Sequence, residues 1–127
     1  MSEIINDAEF NAATKNAETE ATGDVGVYVH KFESPFTFVV GKDEKTVDEL
    51  TFSFRKLTGR DSLAIENEMQ ALGKPLIAPE FSGEYLIRMA ARACNEKIGS
   101  DVLENMPLGD YSKIRNRARS FLLRSGL

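Results

Sequence analysis

The chain has little of what most catalytic or metal sites are made from. Its 127 residues include one cysteine, Cys94, one histidine, His30, and no tryptophan. A lone cysteine excludes an internal disulfide. A structural zinc site takes about four cysteine or histidine ligands and a catalytic one about three, so neither is within reach. Any metal site would have to be dominated by carboxylates. A serine–histidine triad would have to be built on His30, and no supporting motif surrounds it. No apolar run approaches the roughly 18 residues of a membrane span. Residues 1–20 lack an apolar stretch behind a basic one, so no secretory signal is expected and the chain is expected in the cytosol.

Phosphate and metal motifs are missing too. Gly41-Lys42 and Gly73-Lys74 lack both the earlier glycine and the following Ser or Thr of a phosphate loop. There is no G-x-G-x-x-G, no H-E-x-x-H and no calcium loop. Arg60-Asp61 reads as a helix start, because arginine stays charged and cannot serve as a general acid near neutral pH. Glu66 and Glu68 fall on different helical faces and do not form a carboxylate pair. His30 lies in a strand-like stretch and reads as a surface or partly buried strand histidine. No catalytic residue, metal ligand or cofactor is assigned, and a non-enzymatic protein is expected.

What is present suits one domain. Apolar residues make up 42% of the chain, enough for a modest core. The net charge of −4 argues mildly against general affinity for nucleic acid. It hides an asymmetry. Residues 1–24 carry six acids and Lys15, whereas residues 111–127 carry five basic residues and no acid. Opposite ends of this kind suit either head-to-tail self-association or two solvated termini.

Residues 1–22 have Ile4, Ile5 and Phe10 as their only large apolar side chains. That is too few to offset an ordering cost of roughly 1–2 kcal/mol per residue, so a disordered acidic arm is expected. From residue 25 the pattern changes to period two. Val25, Val27 and Val29 open a strand, Pro35 interrupts it, and Phe36, Phe38 and Val40 follow. Beyond the polar turn Gly41–Lys45, Leu50, Phe52 and Phe54 alternate with polar residues. This is a hairpin with one aromatic face, which needs a partner layer in water.

Helices supply that layer. Thr58 and Asp61 stand as a capping box, Ile65, Met69 and Leu72 mark a buried face, and Gly73 stops the first helix. Ser82 caps the second, whose apolar stripe is Tyr85, Leu86, Met89, Ala90, Ala93 and Cys94. Ser100 is placed to cap a short turn, and Asp110 to cap a last helix with Ile114, Ala118, Phe121 and Leu122 inward. The expected fold is α+β. A small antiparallel sheet of residues 25–54 packs its Phe36, Phe38, Phe52 and Phe54 side on three main helices near 58–72, 82–98 and 110–124. The domain spans 23–127, outside the arm of 1–22.

Leu57-Thr58-Gly59-Arg60-Asp61 after an aromatic hairpin resembles the small tail assembly chaperones of long-tailed bacteriophages. Pro35-Phe36, Phe38 and Leu50 fit the family's strand pattern, and Tyr85 with Ala90-Ala91 its alanine-rich second helix. Leu103, Pro107, Asp110 and Phe121-Leu122 fit its closing pattern, so the resemblance runs over about residues 28–123. It implies a non-enzymatic protein that coats the helical tape-measure protein, keeps it soluble and helps recruit tail tube subunits. It implies action in the cytoplasm of the bacterial host and absence from the mature virion. Neither a membrane nor nucleic acid is an expected partner.

Leu63, Ile87 and Leu123 fall off their helices' main apolar faces, which marks either a partner surface or wider burial. Together with Arg115 and Arg119 of the last helix they form the candidate partner-binding set. The arginines at 115, 117 and 119 spread around that helix, since steps of two rotate by roughly 200°. The alternative reading is a small nucleic-acid-binding or virion-associated adaptor that uses the basic Lys113–Arg124 helix. Its binding would fall steeply with salt as counterions are released.

Overall fold

The alternating aromatic pattern forms a two-stranded antiparallel hairpin in the computed structural model, which describes residues 26–125. The expectation of a disordered arm over 1–22 lies outside the described residues. Strand β1 spans Val27–Val40 and β2 spans Asp43–Ser53. The turn is shorter than Gly41–Lys45, because Val40 already pairs with Asp43. Gly41 takes φ 65°, the left-handed value that a two-residue hairpin turn demands of its first central residue. Pro35 does not end the strand. Pairing passes from Lys31↔Glu49 to Phe36↔Val47, so residues 32–35 stand opposite Asp48 alone. Pro35 has no N–H to donate, and the bulge places it where none is needed.

The inward side of the hairpin is an aromatic ladder. Tyr28 stacks on Phe52, Phe52 on Phe54 and Phe54 on Phe121, with centroids 6.3, 6.3 and 5.6 Å apart. Phe54 reaches this position from a 3-10 turn, Phe54–Lys56, that follows β2 directly. Phe38, Leu50, Phe52 and Phe54 are buried, and Phe36 is half-buried on the rim.

Four helices follow: α1, Gly59–Ala71; α2, Gly83–Ala93; α3, Ser100–Glu104; and α4, Leu108–Ser125; α2 and α4 pack on the hairpin, and α1 and α3 pack on α2. A second 3-10 turn, Pro79–Phe81, precedes α2. The α+β architecture read from the pattern is therefore the observed one. At the start of α1 the Thr58 hydroxyl accepts from Arg60 N–H, and Thr58 N–H donates to Asp61 Oδ2 at 2.8 Å. At its end Gly73 takes φ 71°, Gly73 N–H donates to Gln70 O and Lys74 N–H to Met69 O. This is a Schellman stop, and glycine supplies the left-handed residue it requires. Leu72, expected on the buried face, is exposed, because it stands past the last helical residue.

Helix α2 ends at Ala93, short of residue 98. Cys94 turns extended and bridges Phe52, and Asn95 N–H donates to Thr51 O at 2.8 Å. Thr51 N–H returns a bond to Asn95 Oδ1 at 3.0 Å. The outer edge of β2 thus captures backbone that periodicity alone assigns to a helix. Helix α3 starts after Gly99 with no side-chain cap, so Ser100 is its first residue and not its cap.

Asp61 links α1 to α2 as well as capping. Its Oδ1 accepts from Arg92 Nε at 2.9 Å. The Thr58 N–H, and after it Arg92, hold the Asp61 carboxyl below its ordinary range. Burial opposes the charge of Glu84, but Lys74 and Arg88 outweigh it and the net shift is also downward. Carboxyls depressed in the folded state contribute stability above their unfolded pKa and lose it as pH falls through the folded value. Stability from this pair is expected to be complete above about pH 5 and to decline below about pH 4. Asp61→Ala should cost about 1 kcal/mol at neutral pH and flatten the acid limb of a thermal-melt series. An acid limb unchanged in the variant would remove Asp61 from this role.

Candidate functional site

Two side-chain arrangements stand out, one buried and one exposed. His30 on β1 is 1% exposed. Its Nδ1 pairs with Tyr28 Oη at 2.8 Å and its Nε2 with Asp110 Oδ1 at 2.7 Å. With Nε2–H donating to the carboxylate, Nδ1 accepts from the tyrosine hydroxyl. The Phe32 ring meets the imidazole edge-on at 4.8 Å, and Arg117 Cζ lies 4.7 Å from the Tyr28 ring centroid. Hydroxyl, imidazole and carboxylate in series resemble a nucleophile relay, but both ring nitrogens are committed inside the protein. The chain of bonds fastens α4 to the sheet. His30 is thus more buried than a surface or partly buried strand histidine. Asp110 does not cap α4; it occupies the first turn, where its charge suits the helix dipole, and spends its side chain on His30.

The exposed arrangement runs along α4. At 100° per residue, Leu108, Arg115, Arg119 and Leu123 fall within about 80° of one another. Arg117 points about 160° from Arg119 and lies over Tyr28 instead. The flank of Arg115 and Arg119 meets the start of α2. A Cβ on Gly83 would sit 3.8 Å from Tyr111 Oη and 4.0 Å from Arg115 Cδ. Arg119 Nε donates to Glu80 O at 2.9 Å, pinning the Pro79–Phe81 turn to α4. Phe81 is carried between these two anchors and is 77% exposed; Leu108, at the head of the stripe, is 76% exposed. Leu108 also borders a shallow depression with Glu104, Met106 and Tyr111. Arg115 lies 5.5 Å from the Tyr111 ring centroid, and its enclosed Nε has no hydrogen-bond partner.

The candidate residues separate clearly. Arg115, Arg119 and Leu123 share this stripe. Leu63 is exposed but stands on α1, away from it. Ile87 is 2% exposed and cannot meet a partner. Helix α2 packs against α1, α3, α4 and β2, so burial extends well beyond its main stripe. Phe81 and Leu108 are exposed beside the stripe but are not among the candidates read from the sequence. Their signal is weak: each is a large apolar residue next to a proline-marked break, outside any periodic stripe. Among the described residues there is no cluster of three potential metal ligands, and no helix is long and apolar enough to cross a membrane.

Comparison of the chain with protein-family models, with curated proteins and with solved structures finds no match in any of the three.

Proposed function

We propose that this protein is a non-enzymatic binding protein for a long helical client, acting as a phage tail assembly chaperone for a tape-measure protein. The observation that carries the reading is the α4 stripe, with exposed Leu108, Leu123 and the adjacent Phe81 set around Arg115 and Arg119. Helix capture seats apolar anchors at i, i+3 or i+4 and i+7 of the client helix against an apolar surface of its partner. At 1.5 Å per residue, the 18-residue α4 offers about 27 Å of such a surface. The aromatic hairpin followed by the Leu57–Asp61 capping box adds the resemblance to that chaperone family. Tail tube subunits would be further partners, and the host cytoplasm the place of action.

Co-expression tests this directly. The chain is expected to raise the soluble fraction of a co-expressed phage tape-measure protein. Phe81→Asp with Leu108→Asp should abolish that effect, while Leu63→Asp on α1 should leave it intact. A client that stays insoluble with the unmodified chain would overturn the proposal.

The basic α4 also suits an anionic polymer. In the adaptor reading, Lys113 and Arg124 would carry phosphate contacts, and affinity would drop by orders of magnitude between low and moderate salt.

A further inference from the structure

The arc of α4 opposite Ile114 and Ala118 is about 180° wide and carries Lys113, Arg115, Arg119 and Arg124 with no acid. None of the four has a carboxylate within ion-pair distance among the described residues. The same arc exposes Leu123. A cationic face without counter-charges calls for an anionic occupant.

The chain contains one of matching composition. Residues 1–24 hold Glu3, Asp7, Glu9, Glu18, Glu20 and Asp24 against Lys15, together with Ile4, Ile5 and Phe10. The point where this segment joins the described fold is beside α4. Gly26 O accepts from Arg55 N–H at 3.2 Å; the neighbouring Phe54 stacks on Phe121 of α4, and Tyr28 lies under Arg117. Twenty-four residues reach up to about 80 Å when extended, more than twice the length of α4. A short tether gives an effective concentration of order millimolar, so even a weak electrostatic contact is populated within one chain.

We infer that the acidic segment of residues 1–24 docks on the basic face of α4 in its own chain and covers it. Docking is read without any client, so its failure leaves the client reading untouched.

The test uses the full chain with a nitroxide at Ala12→Cys. Cys94 is buried and its thiol is pushed up by burial, which protects it from the label. In low salt the α4 amides of residues 113–124 are expected to lose most of their NMR intensity relative to the reduced label. Neutralising the six acids (E3Q, D7N, E9Q, E18Q, E20Q and D24N) should restore it. Equal intensities in both label states, or broadening that survives neutralisation, would overturn the inference. So would α4 broadening of an isotope-labelled, spin-free chain mixed with spin-labelled, unenriched chain, because the contact would then be between copies.

Discussion

Phe52→Ala is expected to lower the free energy of unfolding by about 3–5 kcal/mol. Phe52 is 0% exposed and stands at the middle of the ladder that runs from Tyr28 through Phe54 to Phe121. Its backbone also pairs on both sides, with Tyr28 in β1 and with Cys94 beyond α2. Truncation therefore removes contacts between the hairpin and the helices at one point. The large aromatic neighbours are themselves stacked and cannot collapse into the gap, which places the cost toward the upper end. Urea unfolding followed by circular dichroism measures it. An unchanged midpoint would show that the ladder does not hold the two layers together.

Asp110→Ala is expected to cost about 1–3 kcal/mol, because it leaves the buried His30 Nε2–H without an acceptor. Asp110→Asn keeps an acceptor oxygen and should cost less than Asp110→Ala. Lys113→Ala, on the exposed arc of the same helix, should stay within about 0.5 kcal/mol of the parent. Equal losses for Asp110→Ala and Lys113→Ala would mean that the His30 contact does not fasten α4. His30→Leu, Asp110→Leu and the double variant that combines them form a cycle. Replacing both partners by apolar groups should cost less than the sum of the single changes.

The features legible in the sequence are those decided within a few residues. The Thr58–Asp61 capping box, the Gly73 stop and the Ser82 cap depend on local backbone geometry, and each forms as the pattern reads. The aromatic face of the hairpin and the buried stripe of α2 follow from periodicity. What was not legible depends on distant partners. His30 and Asp110 are 80 residues apart, and nothing local to either announces the other. Cys94 continues an apolar helical period, yet the outer edge of β2 takes its backbone and that of Asn95. Ile87 looks like an outward residue until α2 is seen to be packed on several sides. The α4 stripe was half legible. Arg115, Arg119 and Leu123 recur at four-residue spacing, whereas Phe81 joins them only because Arg119 holds the carbonyl of Glu80.

The most direct test of client capture is an affinity pull-down of the tagged chain from lysing phage-producing cells, at low and at moderate salt. Bound proteins are identified by mass spectrometry and bound nucleic acid is quantified. Capture through an apolar and arginine stripe predicts one very long, helix-rich protein that is retained at moderate salt. Nucleic acid that disappears as salt rises, with no such protein at either salt, would contradict the account and assign α4 to phosphate binding.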